Sequence, residues 1–219
     1  MSTSEVLTQI FQRLFSAYGP QHWWPGDTPF EVCIGAILTQ NTSWVNVERA
    51  IENLKKRGVF DPDSLLEMDH EDLAALVRPA GYFNQKARKI RDFLIWFKEI
   101  GGFEGMEQVE TSALRESLLS VRGIGPETAD SILLYALGRP VFVVDAYTMR
   151  VLVRHDIVGP DADYEAVQSI FHDNLPREPQ IFNEFHALFV RLGKTKCRRR
   201  GPLCEDCPLH DLPGYPPVV

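Results

Sequence analysis

The chain has 219 residues, 44% of them hydrophobic, enough to build one or two small domains with proper cores. Its formal net charge of −7 speaks against a general attraction to nucleic acid, so such a partner would have to be met by a local cluster of cations. No apolar run reaches membrane-spanning length, and Glu5 stands where a secretory leader would be basic, so a cytoplasmic protein without membrane contact is expected.

Residues 5–18 place Val6, Leu7, Ile10, Phe11, Leu14, Phe15 and Tyr18 at helical spacing, with Ser2 and Glu5 as a capping box and Gly19-Pro20 as the stop. The loop that follows holds Trp23-Trp24-Pro25. Either one indole plugs the core while the other stacks on Pro25, or the pair forms an aromatic wall for a planar ligand. Residues 29–54 read as two helices split near Gln40-Asn41-Thr42-Ser43, with Cys33 as a core residue. Short helices are expected at 62–67, 70–78, 84–100 and 111–120, joined at Pro62, Pro79, Gly81, Gly101 and Gly102; Asn84 reads as an N-cap.

The next stretch organises the chain. Gly123-Ile124-Gly125 can turn Ile124 inward while the glycine backbone approaches something outside, and Pro126 suits the first turn of a helix whose amides face an anion. About twenty residues on, Asp145 ends the apolar run Val141–Val144 and opens another helix as its N-cap. Helices near 163–174 and 180–192 complete the pattern, and with no credible strand pairing the fold class is all-α. Arg191, Lys194, Lys196, Arg198, Arg199 and Arg200 then form a cationic cluster with no acid among them. Cys197, Cys204 and Cys207 fall within it or just after it, and in a cytosolic chain they suggest a metal site more than disulfides.

The Gly-Ile-Gly hairpin with Asp145 resembles the helix-hairpin-helix (HhH-GPD) DNA glycosylases of the endonuclease III superfamily. Leu38-Thr39-Gln40-Asn41-Thr42 and the stretch Arg78-Pro79-Ala80-Gly81-Tyr82-Phe83-Asn84-Gln85-Lys86-Ala87 are similar to motifs of the same superfamily. Together with the Trp-Trp-Pro loop they look most like the endonuclease III-like 3-methyladenine DNA glycosylases. The resemblance implies two lobes. One is a six-helix barrel over 29–139, with the helix-hairpin-helix at about 112–137. The other joins 1–28 to 140–219, with the Cys-rich loop 197–207 near its end and Asp145 at the junction. It also implies a monomer acting on double-stranded DNA that contains a damaged base.

Roles follow by resemblance. Gly123, Ile124 and Gly125 would grip the DNA backbone, and Gln40, with Asn41 beside it, would fill the space of the extruded nucleotide. Asn84 and Lys86 lie on the stretch that faces the opposite strand, and Arg198, Arg199 and Arg200 would contact phosphate. Asp145 would be catalytic, stabilising an oxocarbenium-like sugar and activating water. Trp23, Trp24, Pro25 and Trp44 would line the base pocket; Lys194 would join them or contact phosphate. Members that also cleave the abasic site carry a Lys two residues after the second hairpin Gly; Glu127 stands here and cannot form an imine, which implies monofunctional hydrolysis. Adenine glycosylases of the superfamily carry a Glu where this chain has Ala36. An aromatic box with one Asp suits an alkylated purine, whose positive charge is drawn to aromatic faces.

The departure lies in the cysteines. Endonuclease III holds a [4Fe-4S] cluster on C-x6-C-x2-C-x5-C; Cys197, Cys204 and Cys207 fit, but Pro213 takes the fourth place. Either His210 or Asp211 completes a cluster, or the loop is vestigial. Two other functions compete with alkylpurine excision: excision of other damaged or mismatched bases, and DNA binding through the hairpin without catalysis.

Overall fold

A computed structural model describes residues 1–58 and 60–212, so Pro213 lies outside the described residues. Among those residues the regular structure is entirely helical. The chain divides into two compact units, Trp24–Arg139, and Met1–Trp23 with the chain from Pro140 onward. Against the expected division after residue 28, Trp24 and the turn behind it go with the middle of the chain, because the Trp24 indole packs on Gly35, Trp44 and Tyr135.

Helix α1 (Thr3–Tyr18) starts with the expected capping box: the Glu5 amide donates to Ser2 Oγ at 3.3 Å, and the Ser2 amide donates to Glu5 Oε2 at 2.7 Å. Its buried face is Leu7, Ile10 and Leu14.

The Trp24–Arg139 unit is built around α2 (Pro29–Leu38), whose residues from Phe30 to Leu38 are all buried, as a central helix requires. Thr28 caps it by accepting from the Glu31 amide. Around it run α3 (Trp44–Lys56), α4 (Pro62–Glu67), α5 (His70–Leu76), a 3-10 turn (Arg78–Ala80), α6 (Phe83–Glu99), α7 (Gly102–Gln108), α8 (Thr111–Ser120) and α9 (Pro126–Ser131), which runs into a π-turn (Ile132–Ala136). The helix expected to reach residue 78 stops at Leu76 because Pro79 cannot continue it. Asn84 is not the cap of α6: Tyr82, at φ 46°, is, and Asn84 lies exposed inside the first turn. Helix α7 was not foreseen. Gly101 and Gly102 take positive φ, and a Cβ on Gly105 would sit 1.7 Å from the Ile100 carbonyl oxygen, so glycines alone let this turn close onto the end of α6. Helices α8 and α9 are tied by Arg115, whose Nε and Nη2 donate to the two oxygens of fully buried Asp130 at 2.7 and 3.0 Å.

The other unit adds α10 (Ala146–Arg154), α11 (Tyr164–Asn174) and α12 (Pro179–Thr195) to α1. Its core is aromatic: Phe142 stacks on Phe171 with centroids 3.6 Å apart and meets Phe182 and Phe185 edge-on. The buried Val141–Val144 run has no strand partner, so side chains of α11 satisfy its backbone. His172 Nε2 accepts from the Phe142 amide at 2.9 Å, Gln168 donates to the Phe142 carbonyl at 2.7 Å, and Tyr164 accepts from the Val144 amide at 3.2 Å.

Candidate active site

The extended run delivers Asp145 to the start of α10, where Oδ1 accepts the Thr148 amide at 2.7 Å. It is the expected N-cap, and it is also largely withdrawn from solvent, with 9% exposure. Gly193 allows α12 to pack tightly on α10, since a Cβ there would come 2.2 Å from the Tyr147 ring. On the same helix the buried His186 places Nε2 3.5 Å from Asp145 Oδ2. Burial pushes the Asp145 carboxyl up, but His186 and the Thr148 amide outweigh it and hold it below the usual carboxylate range. The result is an ionised carboxylate in a largely dry setting, where its field is strong. Sequence reasoning missed His186; the one signal was a polar residue on the otherwise apolar face of 180–192.

In the other unit, the hairpin between α8 and α9 turns at Gly123 (φ 87°), with Ile124 5% exposed and its amide bonded to the Val121 carbonyl. Gly125 has ordinary extended backbone and no protein atom within 4 Å of where a Cβ would stand, so nothing in the chain itself demands glycine there. Gln40, at the α2–α3 corner, reaches this hairpin and donates from Nε2 to the Gly123 carbonyl at 3.1 Å and to Thr128 Oγ1 at 2.9 Å. Asn41 is exposed beside it in the left-handed region, at φ 54°. Glu127 is exposed in the first turn of α9.

Lys86 departs from its expected role at the DNA surface. It is 2% exposed, and its ammonium donates to the Leu38 and Ala80 carbonyls at 2.8 and 2.6 Å, fastening the end of α2 to the 3-10 turn. Burial, with Lys89 nearby, pushes its pKa down to about 8. A solvated phosphate contact needs the opposite environment.

The aromatic residues sort into two groups. Trp24 meets Trp44 edge-on at 5.0 Å and leans on Tyr135 at 5.2 Å, while its ring edge lies against Gly35. Trp44 donates from Nε1 to Glu48 at 2.8 Å. Tyr135 escaped the sequence reading because it depends on the π-turn, a feature without a periodic signature that often marks functional positions. Trp23 belongs to the other unit, where Lys194 Nζ lies 6.0 Å from its ring centroid; Pro25 is exposed.

Past α12, Arg198, Arg199 and Arg200 are exposed, and the loop with the cysteines is knit together by arginines. Arg154 donates from Nη1 to Cys197 Sγ at 3.2 Å and to the Arg198 carbonyl at 2.9 Å; Arg150 Nε donates to the Cys197 carbonyl at 2.8 Å. The space lined by Cys197, Cys204 and Cys207 is about 20 Å³. Asp211 forms an ion pair with Arg13, and His210 Nδ1 lies 3.1 Å from the Cys207 carbonyl oxygen. Among the described residues no group of three or more His, Cys, Asp or Glu side chains is arranged to hold a metal ion. Nor is any helix among them long and apolar enough to cross a membrane.

Comparison with known proteins places these features in context. Residues 34–177 match the family described as HhH-GPD superfamily base excision DNA repair protein. The chain is 45% identical over 211 residues to MJ1434 of Methanocaldococcus jannaschii, named as a candidate DNA repair glycosylase, covering 95% of this chain and 96% of that one. It is 27% identical to the endonuclease III of Sulfolobus acidocaldarius, over 85% and 82% of the two chains. Among solved structures, the H. pylori 3-methyladenine DNA glycosylase MagIII bound to 1,N6-ethenoadenine superposes with a TM-score of 0.75 at 30% identity, covering 89% of this chain and 98% of that one. An endonuclease III–DNA complex superposes with a TM-score of 0.81 at 22% identity, over 95% and 94%.

Proposed function

The chain belongs to the HhH-GPD superfamily of base excision DNA repair proteins and is a DNA glycosylase, and from that premise we propose that it is a monofunctional enzyme removing alkylated purines of the 3-methyladenine type. The observation that carries the reading is Asp145: a buried carboxylate kept ionised by His186 and the Thr148 amide. A solvated N-cap would need no such support.

Alkylation gives the purine a positive charge, so the C1′–N bond breaks with its electron pair passing to the base, without a strong general acid. The Asp145 carboxylate stabilises the positive charge that develops on the sugar. Water then adds through oxygen to C1′ and gives its proton to the same carboxylate. The aromatic group of Trp24, Trp44 and Tyr135 offers the faces that attract a cationic base. Trp23 is the poorer wall for such a base, because Lys194 already brings a cation to its ring. The likeness to MagIII supports the same substrate class. Gln40, Asn41, the Gly123–Gly125 hairpin, Asn84 and the exposed Arg198–Arg200 are the proposed DNA contacts; Lys86 is not among them.

Glu127 supports hydrolysis rather than imine chemistry, since a carboxylate cannot add to the sugar aldehyde as an amine does. The Cys-rich loop does not fit a [4Fe-4S] cluster. It has three thiols where such clusters take four, the Asp211 carboxylate is committed to Arg13, and Arg154 already donates to one of the sulfurs. No step depends on a cluster, and the loop serves to present its arginines.

The test is Asp145→Asn with duplex DNA methylated by dimethyl sulfate. Excision should fall by about 10²- to 10⁴-fold while duplex affinity stays within about threefold. Release of methylated base at the normal rate by the Asp145→Asn variant would refute the catalytic role.

A further inference from the structure

Gln40 is held at both ends of its amide. Both Nε2 hydrogens are committed, one to the Gly123 carbonyl and one to Thr128 Oγ1, and the Lys89 ammonium donates to Oε1. An amide donates from nitrogen and accepts at oxygen, so a cation on one side and two acceptors on the other admit a single orientation. Lys89 reaches Gln40 along a fixed path. Its methylenes lie over Gly123, where a Cβ would stand 2.6 Å from Cγ and 2.8 Å from Cε. Gly123 therefore meets two demands at once, the positive φ of the turn and room for the Lys89 stem. Lys89 stands three residues after the buried Lys86, on the part of α6 that fastens the α2–α3 corner, so its backbone is anchored to the same corner that carries Gln40. A long, flexible side chain is thus turned into a strut between the corner and the hairpin.

We infer that Lys89 is a positioning residue that, with Thr128, pre-orders Gln40 for filling the gap left by an extruded nucleotide and couples that act to the Gly123–Gly125 hairpin. The inference rests on the proposed role of Gln40. Without the clamp, the Gln side chain would have to lose its rotamer freedom at the moment of insertion, and insertion would be rarer. Lys89 acts through Gln40 and is not itself a phosphate contact.

The test uses a duplex carrying a tetrahydrofuran abasic analogue with 2-aminopurine as its neighbour, whose fluorescence reports side-chain insertion without any chemistry. Lys89→Met keeps the stem over Gly123 and removes the charge. It should lose most of the fluorescence change, several-fold, and Lys89→Arg should restore it. Thr128→Val, a near-isosteric change at the other end of the clamp, should act in the same direction, which guards against one variant folding poorly. In the Gln40→Ala background Lys89→Met should have no further effect, and the salt dependence of duplex affinity should match that of the normal chain. Three results would overturn the inference: a full signal in Lys89→Met, additive losses in the double variant, or a salt slope lower by about one, which marks a lost phosphate contact. A full signal in Gln40→Ala would instead remove the proposed role of Gln40, and the inference with it.

Discussion

Replacing Lys86 by Met tests whether an ammonium is truly buried under the α2–α3 corner. The folded protein holds Lys86 at about 8 against an ordinary value of 10.5. Below pH 8 both folded and unfolded chains keep the proton, and stability does not depend on pH through this group. Between the two values the unfolded chain still binds a proton that the folded chain has released, so stability rises with pH, and above 10.5 the gain is complete. At about 1.4 kcal/mol per pH unit, the stability of the normal chain relative to Lys86→Met should grow by roughly 1.4 kcal/mol by pH 9 and about 3 kcal/mol by pH 10.5. Urea unfolding of both proteins across pH 7 to 10.5 measures the difference directly, because other titrating groups are common to both. Parallel curves would mean that Lys86 titrates as a solvated amine, and the assignment of its ammonium to the Leu38 and Ala80 carbonyls would be wrong.

Other outcomes follow from the same structure. Arg115→Met removes two charge-assisted bonds from the fully buried Asp130 and should cost about 3–5 kcal/mol, lowering Tm by roughly 10 °C in a calorimetric scan. Because Asp145 is held below the usual carboxylate range, excision should stay flat as pH falls through the ordinary aspartate range and be lost only at still lower pH; an acid limb near pH 6 would place the limiting group elsewhere. Chain purified without oxygen should carry neither iron nor acid-labile sulfide in stoichiometric amount, and Arg154→Met should open the Cys-rich loop to limited proteolysis; a full complement of iron and sulfide would contradict the account of that loop.

The helices were legible where apolar spacing was strong, as in α1, α2 and α12, and where a cap announced itself, as with Ser2 and Asp145. Helix α7 was not, because its glycines read as joins until Gly105 is seen against the Ile100 carbonyl. Residues of the proposed site were legible when a motif fixed them along the chain, as with Gln40, Gly123 and Asp145. The supporting residues were hidden, because His186, Lys89 and Thr128 gain meaning only through partners far away along the chain, Asp145 for the first and Gln40 for the other two. Lys86 shows the reverse failure: a lysine in a surface-like motif that folding drew inside, where two carbonyls compensate its burial.

The most direct test is release of base from a panel of duplexes containing alkylated purines, oxidised pyrimidines and mismatches, with strand breaks scored before and after hot alkali. The account predicts release of methylated adenine, breaks only after alkali, and no borohydride-trapped complex. Breaks without alkali, a trapped complex, or release confined to non-alkylated bases would contradict it.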